Sequence, residues 1–199
     1  MKEIPAKLVA ELRARTGAGM MDCKKALQET GGDLEKAVDL LRQRGAVKAE
    51  KRAGREASEG VIGSYVHHDG SIGVLVEVNC ETDFVARTED FKVLAKDLAI
   101  HIAATRPLAV RVDDLPPTVV ERERQVYEAL VKEQEKPEAI RAKIVEGMMK
   151  KFYEETVLLE QKFAKDDKRT VGELVKALSA KTGENVQVRR FVRYELGGT

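Results

Sequence analysis

Between Gly60 and Cys80 the stretch GVIGSYVHHDGSIGVLVEVNC alternates apolar and polar residues with a period of two, whereas the segments on both sides repeat at helical spacing. Two strands are therefore expected around His68, Asp69 and Gly70, because an Asp-Gly pair suits a hairpin turn that needs positive φ. In the second strand Ile72, Val74, Val76 and Val78 share one face, which should be buried. The C-terminal NVQVRRFVRYEL reads the same way: Val186, Val188, Val192 and Tyr194 alternate with Gln187, Arg189, Arg193 and Glu195. It is expected to complete an antiparallel sheet with one wet face, which makes this part of the chain α+β.

Helical spacing dominates elsewhere. Pro5–Arg15, Met21–Thr30 and Leu34–Arg44 read as short helices divided by TGAG and GGD, with apolar stripes of Leu8, Val9, Leu12; Ala26, Leu27; and Leu34, Ala37, Val38, Leu41. They form a three-helix module with little apolar surface of its own. The following AVKAEKRAGREASE has almost no large apolar residue and reads as an exposed, partly helical linker, so residues 1–55 are taken as module and linker and 56–199 as the α+β core. In that core Thr88 is expected to cap a helix carrying Phe91, Leu94, Ala95, Leu98 and Ile102. Helices over about 118–135 and 138–153, separated by Pro137, are expected to make a protruding hairpin. Thr170 and Glu173 have the spacing of a capping box before a last helix that should end at Gly183.

Composition then removes several functions. The 35 basic and 34 acidic residues leave a net charge of +1, too little for a general field that attracts phosphate backbones, so no direct nucleic-acid partner is expected. The two cysteines, Cys23 and Cys80, make no CxxC pair, so neither a disulfide scaffold nor a zinc-binding spacing is present, and a reduced, cytoplasmic setting is expected. The N-terminal stretch is charged throughout and lacks the apolar run of a signal peptide or membrane span.

No nucleophile with its base and no phosphate loop has a familiar spacing, so no cofactor, metal or catalytic residue is expected. His67 and His68 are consecutive at a hairpin end, where an extended strand would send them to opposite faces. His101 lies beside Ile100 and Ile102 on a helix, and Cys80 reads as a small buried hydrophobe. Met20 and Met21 cannot both face the module's interior, so at least one is free for a partner's apolar groove. In NCETDFVART, the pattern alone leaves two options: Asp83 caps a turn while Phe84 and Val85 fold beneath the sheet, or they stand out for a partner.

The segments LVAELRARTGAGMMDCKKAL, EVNCETDFVA, EGMMKKF, LLEQKFAKD, TVGELV and RFVRYELG resemble, in order and over nearly the whole chain, the bacterial elongation factor Ts family of exchange factors for elongation factor Tu. The resemblance implies that the first module is the family's ubiquitin-associated-like (UBA-like) domain, docking on the partner's nucleotide-binding domain through Arg13, Met20 and Met21. It implies that Thr82, Asp83, Phe84 and Val85 enter near the partner's magnesium and nucleotide, and that His67 faces the partner. Many family members carry two related α/β subdomains and this chain has one sheet region, so a homodimer giving a two-plus-two complex is expected. An adaptor using the helical module without exchange activity is the alternative reading.

Overall fold

The computed structural model describes residues 4–133 and 137–198. Its elements are α1 (Ala6–Thr16), α2 (Met20–Glu29), α3 (Leu34–Arg52), β1 (Glu59–Val66), β2 (Ile72–Cys80), α4 (Asp83–Ala86) and α5 (Glu89–Thr105). After these come α6 (Pro117–Lys132), α7 (Glu138–Thr156), β3 (Lys162–Phe163), β4 (Asp166–Thr170), α8 (Val171–Thr182) and β5 (Gln187–Glu195). The class is α+β: an antiparallel sheet in the order β1-β2-β5, a small β3-β4 pair, and helices. The chain packs as two compact units, Met1–Val61, Val78–Leu94 and Glu173–Val188 in the first, Ile62–Glu77, Ala95–Gly172 and Arg189–Thr199 in the second.

In the first unit the expected stripes of α1, α2 and α3 meet around Val9, Leu12, Ala26, Leu27 and Ala37, with Cys23 as a further buried member. Gly17 takes φ 67° and ends α1, its N–H donating to the Arg13 carbonyl at 2.8 Å. Asp33 caps α3 by accepting from the Lys36 N–H at 3.1 Å. The third helix does not stop at Arg44. It continues to Arg52 because part of the presumed linker packs on α8: Ala49 is buried, Lys176 pairs with Glu50 at 3.0 Å, and a Cβ on Gly45 would lie 2.9 Å from the Ala180 methyl.

In the second unit Gly70, at φ 73°, donates its N–H to the His67 carbonyl at 2.8 Å and closes the expected hairpin turn. Val74 and Val76 are buried as the alternation requires, as is Val78 where the strand enters the first unit, while Ile72 at its start is half-buried. α6 and α7 form the helical hairpin around Val131, Val145 and Met149, tied by an Arg124–Glu146 pair at 2.6 Å. Residues 134 and 135, expected to extend α6, lie outside the described residues.

β5 departs from the expected single wet face. Val186 and Val188 are buried, but Val192 and Tyr194 are exposed while Arg193 and Glu195 are largely covered. Arg189 and Arg190 are both exposed, and the buried parity changes there. In the second unit the Arg193 guanidinium donates to the Ala103 carbonyl of α5 at 3.3 Å, so odd-numbered side chains face the helix there.

His101 is buried on α5 as part of a polar lock. Its Nδ1 accepts from the Ala164 N–H at 3.2 Å, which leaves Nε2 to donate to Gln161 Oε1 at 3.0 Å; Gln161 in turn donates to the Glu155 carbonyl at 2.8 Å. On the same elements Lys165 pairs with Asp97 at 2.6 Å, so these two charges offset each other. Burial holds His101 below the ordinary histidine value, the Gln161 hydrogen bond opposing it. The folded chain therefore binds this proton later than the unfolded chain. His101 contributes stability that is intact above about pH 6.5 and declines as pH falls, by at most about 1.4 kcal/mol per pH unit for one proton. The urea midpoint is expected to drop between pH 7 and pH 5, and His101→Gln to flatten that drop; an equal slope in the variant would remove His101 as its source.

Candidate functional site

The turn after β2 carries the four clustered candidates. Thr82 has extended backbone (φ −129°, ψ 153°) and its hydroxyl accepts from the Val85 N–H at 3.4 Å, so it is the N-cap of α4. The Ala86 N–H donates to the Thr82 carbonyl at 3.3 Å and the Arg87 N–H to Asp83 at 3.1 Å. Thr88 does not serve α5 through its side chain in the expected way. Its hydroxyl donates backward to the Val85 carbonyl at 2.7 Å, closing the C-terminal end of the same turn. Ala86 is buried and Val85 half-buried, which roots the turn.

Phe84 is left 79% exposed on this rooted turn, so of the two options open to the pattern the ring takes the outward one. The adjacent Asp83 carboxylate pairs with Arg87 at 2.7 Å, both groups reaching solvent. An exposed i,i+4 pair of this kind is worth well under about 1 kcal/mol, so Asp83 can exchange Arg87 for an incoming donor at little cost.

A reciprocal clamp holds the base of the turn, and its members are far apart in sequence. Glu184, between α8 and β5, accepts at Oε2 from the N–H groups of Glu81 (3.1 Å) and Thr82 (3.0 Å), and at Oε1 from the Thr82 hydroxyl (2.7 Å). In return Glu81 Oε1 accepts from the Asn185 N–H at 2.6 Å, and the Asn185 amide donates to the Arg55 carbonyl at 2.8 Å. The Cys80 thiol donates to the Thr82 carbonyl at 3.2 Å; burial, aided by the Glu184 charge, pushes this thiol up to about 11, so it remains a protonated donor. The buried Cys80 of the sequence reading is thus also a hydrogen-bonding one. The Glu184 contacts span more than a hundred residues and leave no local pattern.

Met20 and Met21 open α2 and are 53% and 63% exposed; both stand outward because Cys23, Ala26 and Leu27 fill the interior. Arg13 is exposed in the last turn of α1, where a cation complements the helix C-terminus. The turn after α1 and the start of α5 both reach α8. A Cβ on Gly17 would lie 3.1 Å from the Lys181 chain, and Lys181 pairs with Asp90 just after the Phe84 turn.

His67 belongs to the second unit. The Tyr65 hydroxyl lies 2.8 Å from its Nδ1, and its ring meets His68 edge-on with centroids 4.3 Å apart. The expectation of opposite faces fails because the chain has already turned at His67, whose carbonyl accepts the turn-closing bond. Among the described residues no group of three or more His, Cys, Asp or Glu is placed to hold a metal ion, and no helix is long and apolar enough to cross a membrane.

Residues 22–198 match the profile of the family described as Elongation factor TS. The chain belongs to the elongation factor Ts family. It is 55% identical over 195 residues to the Elongation factor Ts of Syntrophobacter fumaroxidans, covering 98% of both chains. The corresponding protein of Nitratidesulfovibrio vulgaris is 58% identical, with 98% of this chain and 97% of that one covered. That of Thermosipho melanesiensis is 54% identical, with 98% and 99% covered. Membership in the elongation factor Ts family places the chain in translation elongation. The profile match includes the Phe84 turn and the Glu184 clamp; Arg13, Met20 and Met21 precede it, within the part of the chain reached by the pairwise likeness to other elongation factors Ts.

Proposed function

We propose that this chain is a guanine-nucleotide exchange factor for elongation factor Tu. Its UBA-like three-helix module docks through Arg13, Met20 and Met21, and the Thr82–Val85 turn enters beside the partner's magnesium and nucleotide. The observation that carries the reading is a large aromatic side chain, 79% exposed, on a turn whose two ends are hydrogen-bonded and whose base is clamped. Unbound, such a ring costs solubility; inserted between a partner's elements, it gains its burial there.

Magnesium needs near-ideal octahedral oxygen coordination and bridges nucleotide phosphates to side chains, so a small displacement of its surroundings weakens nucleotide binding. Phe84 supplies the displacement, and Asp83 competes for hydrogen bonds that order the site. Because binding couplings are reciprocal, a factor that loosens nucleotide is itself released when GTP binds. No bond is made or broken. The test is the release of fluorescent GDP from elongation factor Tu: the chain is expected to accelerate it, and absence of acceleration would leave the adaptor reading in its place.

The same proposal includes a homodimer. With Gly63 and Arg193 turned toward α5, strand alternation puts Ile62, Val66, Leu75, Val192 and Tyr194 on the other face, all exposed. An apolar face of this kind suits an isologous contact with a second copy, giving a two-plus-two complex. His67 faces the partner in this arrangement. Sedimentation at micromolar concentration is expected to show a dimer, and Val192→Lys combined with Tyr194→Lys to shift it to monomer; a native chain that sediments only as monomer would remove the two-plus-two assembly.

A further inference from the structure

We propose that Glu184 is the positioning residue of the exchange reaction: it fixes the angle at which Phe84 is presented. This rests on the exchange reading above. Three donors, the N–H groups of Glu81 and Thr82 and the Thr82 hydroxyl, converge on the one carboxylate at 2.7–3.1 Å. A carboxylate is an acceptor with room for several donors, so one side chain satisfies all three at once.

Glu184 is itself immobilised. Its carbonyl accepts from the Ser179 hydroxyl, and its N–H donates to the Thr182 hydroxyl at 3.4 Å, both groups on the last turns of α8. Gly183, at φ 79°, ends that helix with its N–H on the Ser179 carbonyl at 3.0 Å and so sets where the carboxylate emerges. Thr82 is the hinge between the clamp and the ring: its hydroxyl donates to Glu184 and accepts from Val85, so the Glu184 contact orients the cap that holds α4.

The neighbouring Asn185 extends the device toward the three-helix module. Its backbone N–H reaches Glu81 and its side chain reaches the Arg55 carbonyl at 2.8 Å, just beyond α3. Docking by the module and presentation of the ring are thereby referred to one rigid corner. A group that must act within a fraction of an ångström needs such support: a misplacement of about 1 Å can cost on the order of 100-fold in rate.

The experiment measures catalysed GDP release from elongation factor Tu at increasing concentrations of the full-length chain, separating the maximal rate from the half-saturating concentration. Glu184→Ala is expected to lower the maximal rate by about tenfold or more while moving half-saturation by less than about twofold. Glu184→Gln is expected to recover much of the loss. Its amide oxygen can accept from both N–H groups while its NH₂ donates to the Thr82 hydroxyl, whose own proton then loses its present acceptor. Combined with Phe84→Ala, Glu184→Ala should add little, because both act through one ring.

A folded Glu184→Ala with native maximal rate, or a loss that adds in full to that of Phe84→Ala, would overturn the assignment. If Glu184→Ala fails to fold, Glu184→Asp, which draws the carboxylate back by one methylene, is read by the same criteria. A native chain that does not accelerate release removes the exchange reading itself. Acceleration by the native chain, slowed by Phe84→Ala but untouched by the Glu184 variants, removes only the positioning role.

Discussion

Phe84→Ala is expected to slow catalysed GDP release by about 10- to 100-fold while shifting the melting temperature of the chain by less than about 2 °C. The asymmetry follows from the ring's position. At 79% exposure it contributes almost nothing to its own fold, so its removal leaves the turn, with its Thr82 and Thr88 hydrogen bonds and buried Ala86, in place. Buried in a partner, the same ring contributes about 1.5–3 kcal/mol, and each 1.4 kcal/mol is a factor of ten.

In the proposed mechanism Asp83→Ala alone should have the smaller effect, since it removes the carboxylate and its exposed Arg87 pair but leaves the ring. The double variant should bind with modestly reduced affinity and release GDP little faster than the partner alone. Unchanged exchange in the double variant would reject the mechanism outright.

The second large effect concerns stability. Gly63→Ala is expected to cost about 2–3 kcal/mol, or roughly 5–10 °C in melting temperature for a chain of this size. A Cβ at Gly63 would lie 2.4 Å from the carbonyl oxygen of Ala95 and 2.7 Å from its carbon. Both are backbone atoms of α5, and a helix backbone cannot step aside as the end of a flexible side chain can. Strand and helix must separate, which loosens the packing of the buried Ala95, Leu98 and Ile102 that depends on their approach. Gly73→Ala is the control: nothing lies within 4 Å of its Cβ, so its effect should stay within about 1 kcal/mol. Equal melting temperatures for the two variants would show that the sheet and α5 are not held at this distance.

Much of this molecule is legible in its sequence. Asp69-Gly70, the Val74–Val78 alternation and the punctuating glycines act within a few residues, so local chemistry decides them and the structure obeys it. What escaped has a common cause in contacts between distant segments. α3 outlasts its amphipathic stripe because α8 covers its far end. The parity of β5 changes past Arg189 and Arg190, where Arg193 turns to the Ala103 carbonyl, and a period of two cannot announce which face a neighbour will cover. His67 and His68 meet because the turn starts one residue earlier than strict alternation assumes.

The Phe84 turn divides the same way. The pattern offers Asp83 as the cap, whereas the structure gives that role to Thr82, one residue earlier; the resemblance to elongation factors Ts implied an outward ring. Pattern alone could not separate Phe84 from Val85, since adjacent residues on so short a turn share the same neighbours in sequence. The structure sends Val85 partly inward and Phe84 out. Glu184 carries no sequence mark at all beyond following a helix-ending glycine.

The interlacing of the two units carries a cost for evolution and for protein engineering alike. The polypeptide crosses from one unit to the other after Val61, Glu77, Leu94, Gly172 and Val188, and β1, β2, α5 and β5 each lend one end to each side. No single scission therefore yields two complete halves. Excising or replacing either unit alone would need cuts at several of these crossings at once.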